Sequence, residues 1–269
     1  MNTNNQFALI TGATSGIGFE LAKLFAENKY NLIIVARNQD ELDKTAATLK
    51  DSYGVEITTI SKDLFKQDAA FELCDELKEK NIKIDVLVND AGQGLYGKFA
   101  ETDIYRELDI IQLNIASLVI LTKHFLKEMV ERNDGKILNL SSVASKIPGP
   151  WQAVYHGTKA FVQSFTEGIR AELQDTNITI TALLPGATDT DFFNKAEMLD
   201  SKIVREGKLD DAAKVAKDGF DALMKGDDKV ISGFKNKMQV GMGNVTPDDI
   251  VAKQVYKQQA PANSDERNN

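Results

Sequence analysis

The sequence predicts one α/β domain, a doubly wound parallel sheet of about seven strands with helices on both faces. Two observations carry that reading. Apolar runs rich in β-branched residues alternate with longer stretches of helical period along the chain, and neighbouring parallel strands need helical crossovers. The runs are also nearly continuous in apolar residues, as in "NLIIVA" and "IDVLVN", which suits strands covered on both faces. At 269 residues, with no internal repeat, low-complexity tract or Pro-rich linker, the chain reads as a single domain.

In chain order, strands are expected at Phe7 to Thr11, Leu32 to Ala36, Glu56 to Ser61, Val86 to Asn89, Lys136 to Leu140, Thr179 to Leu184 and Lys229 to Ser232. Between them lie amphipathic segments such as "IGFELAKLFAENK", "QDELDKTAATLKDSYG" and "QDAAFELCDELKEKN", each ending near Gly or Asn, the usual helix stops. The domain is expected to fill residues 1–232, with 233–269 a C-terminal extension. Its last dozen residues, "QQAPANSDERNN", lack apolar side chains to bury and are expected to be disordered.

Composition removes several classes of function. A net charge of −8, from 40 acidic and 32 basic residues, repels polyanions and argues against nucleic-acid binding. Two His and one Cys are too few for a structural zinc site, and no metal is expected. Cys74 has no partner for an internal disulfide and falls on a helix face. No apolar run is long enough for a membrane span, and "MNTNNQ" lacks the pattern of a secretory signal, so a cytoplasmic setting is expected.

The first strand runs through "TGATSGIG" straight into a helix. Glycines at 12, 16 and 18 let the backbone turn tightly and approach a pyrophosphate, which the helix N-terminus favours through its free N–H groups. The spacing matches neither GxGxxG nor a P-loop, so nucleotide hydrolysis is disfavoured. The second strand ends in Ala36 and Arg37, where an NAD-binding domain commonly carries an acid. A guanidinium pairs with a 2′-phosphate that a carboxylate would repel, which predicts NADP(H) over NAD(H); a solvated Arg at a strand end is the alternative. Asp63, after the third strand, has two roles open to it: accepting from an adenine amino group or capping a helix.

"TGATSGIG", "VNDAG" at 88–92, "QLNIAS" around Asn114, "LNLSSVAS" around Ser142, "YHGTK" at 155–159 and "PGATDT" at 185–190 together resemble the signature set of the short-chain dehydrogenases/reductases, and the match extends to about residue 232. The resemblance implies a Rossmann-type fold and an oxidoreductase acting on a carbonyl or secondary alcohol. It also implies cofactor contacts at Gly12, Thr14, Ser15, Gly16, Ile17 and Gly18, at Asp63 and Leu64, at Asn89, Ala91 and Gly92, and at Pro185, Gly186, Thr188 and Thr190. The family's usual Asn-Asn-Ala-Gly reads Asn89-Asp90-Ala91-Gly92 here, a change expected to alter a local hydrogen bond and leave the fold intact.

The chemistry gives these residues physical roles. Reducing a carbonyl requires a proton donor within reach of its oxygen. Tyr155 is that donor, and an ammonium one helical turn away at Lys159 is expected to lower the phenol's high pKa. Ser142, 13 residues before Tyr155 and at the C-terminal end of the fifth strand, is expected to hold the substrate oxygen, the family's Ser-to-Tyr spacing choosing it over Ser141. By resemblance Lys159 also binds the nicotinamide ribose, and Asn114 holds a water linking Lys159 to solvent; a satisfied core amide is the other reading of Asn114.

Pro185 and Gly186 end the sixth strand and open a loop. The resemblance gives Thr188 and Thr190 to the carboxamide and phosphates, while helix capping would also explain them. The segment from Asp191 to Gly207, with Phe192, Phe193 and Met198, is expected to be a mobile substrate lid. Trp151 either lines the pocket or packs under the loop, and His156, adjacent to Tyr155, is expected to point elsewhere. The apolar faces of Ile104 to Met129 and Ala153 to Leu173 exceed the needs of one sheet face, and a homodimer or homotetramer is expected. The competing readings are a non-catalytic NADP-binding regulator on the same fold and, among enzymes, an oxoacyl-thioester reductase, a steroid or retinoid dehydrogenase or a 3-hydroxy acid dehydrogenase.

Overall fold

The computed structural model describes residues 5–243 and 246–262. Seven parallel strands, β1 (Phe7–Thr11), β2 (Asn31–Ala36), β3 (Ile57–Ser61), β4 (Val86–Asn89), β5 (Gly135–Leu140), β6 (Ile178–Leu184) and β7 (Lys229–Ile231), form one sheet in the order β3-β2-β1-β4-β5-β6-β7. The expected strands are all present, with ends moved by at most one residue. The crossovers are α1 (Gly16–Glu27), α2 (Gln39–Tyr53) and α3 (Ala69–Glu79), then α4 (Ile104–Ile111) joined to α5 (Leu118–Arg132) by a π-helical turn at Gln112–Ser117, and then α6 (Ala153–Glu172). Two short helices, α7 (Phe192–Lys195) and α8 (Lys202–Arg205), precede α9 (Ala212–Lys225), and the extension forms α10 (Phe234–Gly243) and α11 (Asp248–Gln259).

Alternation along the strands sorts the core into two layers. Ala8, Ile10, Leu32 and Ile34 pack with Phe25 of α1, Leu42 of α2 and Phe220 of α9. Leu9, Ile33, Val35 and Leu87 face the other way, against Leu73 of α3 and Phe125 and Met129 of α5. Each such side chain contributes roughly 1.5–3 kcal/mol on full burial, so the continuous apolar strands are what hold helices to both faces. Local signals set the ends: Asn38 caps α2 by accepting from the Asp40 and Glu41 N–H groups, and Gly54 closes it at φ 67°.

One polar ladder crosses this core. Asn89 and Asn139 are register partners on β4 and β5. Asn89 Nδ2 donates to Asn139 Oδ1 (2.9 Å) and Thr122 Oγ1 (3.0 Å), and Asn139 Nδ2 donates to Thr166 Oγ1 (3.0 Å). The ladder ties the sheet to α5 through Thr122 and to the second half of α6 through Thr166.

The expectation of a disordered tail needs correction over its first part. Gln258 and Gln259 end α11, and Ala262 N–H donates to the Asp200 carbonyl at 2.8 Å; the rest of the tail, 263–269, lies outside the described residues. The pattern there lacks apolar residues, but Pro247 followed by Asp248 and Asp249 is a helix start that seats Val251 and Val255 against the protein. No helix among the described residues is long and apolar enough to cross a membrane.

Candidate active site

The strand order reverses between β1 and β4, and at the carboxyl ends of these strands opens a cleft of about 1200 Å³, where open α/β sheets bind ligands. Its outer end is the glycine turn. Gly12 and Gly16 have φ of 75° and 55°, conformations that L side chains resist. Ser15 begins α1 without a side-chain cap, leaving the first N–H groups of a twelve-residue helix directed at the cleft. A Cβ on Gly16 would lie 2.9 Å from Thr190 Cγ2, so the loop after β6 closes against the turn.

Gly12, Thr14, Ser15, Gly16 and Ile17 line this end, with Leu64, Ala91 and Gly92 beside them and Pro185, Gly186, Thr188 and Thr190 opposite. Arg37 stands exposed at the mouth, its guanidinium 5.1 Å from the Phe65 ring centroid. Three expected contacts stand back from the wall. Gly18 is buried in the first turn of α1, Asn89 is committed to the polar ladder, and the Asp63 carboxylate accepts from Phe65 N–H at 3.4 Å. The Asp63 carboxylate thus caps a turn here, through one of its two oxygens.

The inner end gathers the chemically active side chains. Ser142, just past the end of β5, accepts from Ala144 N–H at 3.1 Å and donates to the Pro185 carbonyl at 3.3 Å. Burial pushes the Tyr155 phenol up to about 12, with the neighbouring Ser142 hydroxyl acting in the opposite sense. The lowering expected from Lys159 is not found. Lys159 Nζ donates to the Leu140 carbonyl at 2.8 Å and lies 5.8 Å from the Tyr155 ring centroid; burial takes its own pKa down to about 8, partly opposed by Asp90. Ser141 is turned away, donating to the Lys159 carbonyl at 2.8 Å.

Asn114 sits in the π-helical turn, buried behind Gly92 and Gln93 rather than in the wall. Its Nδ2 donates to the Gln93 carbonyl (2.9 Å) and Thr158 Oγ1 (3.0 Å), and its Oδ1 accepts from Gln93 N–H (3.0 Å). A wider turn inside a helix often marks a functional position; here it brings a fully bonded amide beside the Lys159 ammonium, since a Cβ on Gly92 would meet Lys159 Nζ at 3.3 Å and Asn114 Oδ1 at 3.4 Å.

His156 points away from the phenol, as its position predicts. Its Nδ1 is 3.0 Å from the Ile147 carbonyl and its Nε2 3.3 Å from Gln259 Nε2, which assigns the proton to Nδ1, and burial lowers its pKa. Trp151 takes φ 69° and stacks between Tyr96 (5.6 Å) and Tyr256 (5.4 Å), outside the cleft wall. In the segment 191–207, Phe192 lies 5.1 Å from the Tyr155 ring, while Phe193, Ala196 and Met198 form a small core of their own. The C-terminal extension, whose placement the residue pattern leaves open, lines the cleft. Asn236 fills the space beside Gly186 and donates to Asp210 (2.7 Å) and the Ser232 carbonyl (2.7 Å), and Gln259 and Val255 complete the substrate end.

A doubly wound parallel sheet with a glycine turn at one end of its cleft and a Tyr, Lys and Ser at the other defines an oxidoreductase of the dinucleotide-binding class. The family profile described as short chain dehydrogenase matches residues 6–199, and the chain belongs to the short-chain dehydrogenase/reductase family. It is 31% identical over 254 residues to dehydrogenase/reductase SDR family member 7B of Mus musculus, covering 90% of this chain and 78% of that one. It is 37% identical over 190 residues to sulfoacetaldehyde reductase 2 of Chromohalobacter salexigens, covering 70% and 75%. A short-chain dehydrogenase from Sphingobium yanoikuyae, solved in complex with NADPH, superposes with a TM-score of 0.80 at 27% identity, covering 90% of this chain and 96% of that one.

Proposed function

We propose that the protein is an NADP(H)-dependent oxidoreductase interconverting a carbonyl compound and its secondary alcohol. The observation that carries this reading is the convergence of Ser142, Tyr155 and, one turn on, Lys159 at the inner end of a cleft whose outer end is the bare glycine turn. The residues fit a dinucleotide: the Gly12 to Gly18 turn with the N-terminus of α1 for the pyrophosphate, Leu64 and Ala91 along the adenosine, Lys159 for the inner ribose, and Thr188 and Thr190 toward the nicotinamide. Arg37, exposed and without an ion-pair partner among the described residues, favours the 2′-phosphate.

When bound, the dinucleotide supplies or accepts the hydride at the reacting carbon. Tyr155 gives its proton to the carbonyl oxygen, and with a pKa held high the phenol stays in its acid form throughout the neutral range. Ser142 hydrogen-bonds the same oxygen and fixes its approach. Lys159 holds the inner ribose beside the phenol, and Asn114 keeps the Gly92–Gln93 loop pressed on Lys159 and supports proton return from solvent. Phe192, Phe193, Met198 and Val255 give the substrate end an apolar lining, which favours a carbonyl compound with an apolar body. Self-association through the exposed faces of α4 and α6 belongs to the same reading.

The test is a panel of ketones and aldehydes followed by loss of NADPH absorbance, run beside direct measurement of NADPH binding. Turnover of an apolar ketone that disappears in Tyr155→Phe supports the reading; binding without turnover across the panel favours a regulatory protein.

A further inference from the structure

The buried acid in "VNDAG" lies between the two functional ends of the cleft and takes no part in the mechanism above. Asp90 follows β4, on the floor of the cleft. Its Oδ2 fills the space that a side chain on Gly12 or Gly18 would need. Its own N–H and that of Ala91 donate to Thr11 Oγ1, at 3.2 and 3.1 Å, so the carboxylate is held firmly beneath the turn. Lys159, from α6, is the one charged side chain acting on it among the described residues; its other neighbours, Thr11 and the turn glycines, are neutral.

We propose that Asp90 is a positioning residue that ties dinucleotide affinity to its own protonation: ionised, its carboxylate opposes the pyrophosphate and engages Lys159; neutral, it leaves the turn free to accept the anion. The proposal rests on the reading of this cleft as the dinucleotide site. An anion at the N-terminus of α1 and a carboxylate directly beneath that turn repel each other across a space with little water, where charges are poorly screened. Binding the pyrophosphate therefore draws one proton from solvent onto Asp90. Burial already lifts this carboxyl to about 7, against the opposing pull of Lys159 and the Gly18 N–H, so the exchange falls within the neutral range.

The sign follows from linkage. A ligand that raises the pKa of a group binds best where the group is protonated, so affinity is highest below the pKa of the free protein. It then falls by up to roughly tenfold per pH unit until the pKa of the complex is passed. Asp90→Asn keeps the shape and a hydrogen-bonding oxygen and removes the titration. Asp90→Ser does the same with a smaller side chain, should the amide disturb the turn.

Calorimetric titration of the full chain with NADPH and with NADH, between about pH 6 and about pH 9 in buffers of different ionisation enthalpy, reads both affinity and proton uptake. NADH is included because it lacks the phosphate monoester that titrates in this window. The wild type is expected to take up a proton and to bind more weakly as pH rises, while both variants lose the uptake and most of the pH slope. Equal uptake and equal slopes in wild type and variants overturn the proposal while leaving the dinucleotide site intact. Absence of dinucleotide binding to the wild type at any pH overturns the reading of the cleft and the proposal with it. A purely structural role for Asp90 would lower the melting temperature or kcat of the variants without altering the pH slope.

Discussion

Lys159 and Tyr155 stand one turn apart on α6, yet the ammonium is bonded to the Leu140 carbonyl at 2.8 Å and sits 5.8 Å from the phenol ring. The pair is held by different parts of the site, Lys159 by the end of β5 and the Tyr155 ring against Phe192, 5.1 Å away. Removing either therefore has a separable effect. Tyr155→Phe is expected to cut kcat by at least roughly 10²-fold through loss of the proton donor, with NADPH affinity nearly unchanged. Stopped-flow turnover and fluorescence titration check the two halves, and a variant that turns over normally would remove Tyr155 from the mechanism.

The pH profile follows from the same pair. Burial lowers the Lys159 ammonium from its usual value to about 8. Its cationic form is present below that pH and lost above it, whereas Tyr155, raised to about 12, remains an acid across the range. Carbonyl reduction is expected to hold through neutral pH and to decline as pH rises through about 8. A profile of kcat/KM at saturating NADPH measures this, and an alkaline limb unchanged in Lys159→Arg would assign it to another group.

At the other end, Arg37→Ala is expected to weaken NADPH by roughly tenfold or more, since a hydrogen bond to a charged group contributes about 1.5–3 kcal/mol. NADH should be affected little. Equal losses for the two cofactors would show that Arg37 does not read the 2′-phosphate.

The ladder in the core gives a stability prediction. Asn139→Ala leaves Asn89 Nδ2 with Thr122 alone and strips Thr166 Oγ1 of its donor, at a cost of about 1–3 kcal/mol for each buried group left unsatisfied. Urea unfolding is expected to show a lowered midpoint at constant slope. A midpoint equal to the wild type's would mean that water replaces the lost amide.

Ile104, Tyr105 and Leu108 are at least half exposed on α4 (53%, 75% and 51%), an apolar face left uncovered by the described residues. Leu108→Glu is expected to shift the protein from dimer or tetramer toward monomer in light scattering. A wild type that is already monomeric under these conditions would end that expectation.

The sheet was legible because its signals are local and redundant: "NLIIVA" reads as a strand buried on both faces wherever the chain places it. The glycine turn, Ser142, Tyr155 and Lys159 were legible too, because strand ends and helical spacing bring them to one edge. Pairwise electrostatics were not. The spacing of Tyr155 and Lys159 says that they are neighbours on a helix, but not that the Leu140 carbonyl would claim the ammonium. The contribution of Asn236 and Gln259 to the cleft was hidden for another reason: long-range packing of an extension with few apolar residues leaves no periodicity to read.

That packing divides the cleft between distant parts of the chain. The glycine turn lies at Gly12 to Gly18, whereas the other end of the cleft is finished by Asn236, Val255 and Gln259. On the proposed reading, the reacting groups and part of the substrate lining come from separable stretches, so grafting another relative's segment from residue 233 onward is expected to alter what is accepted while leaving Ser142, Tyr155 and Lys159 in place.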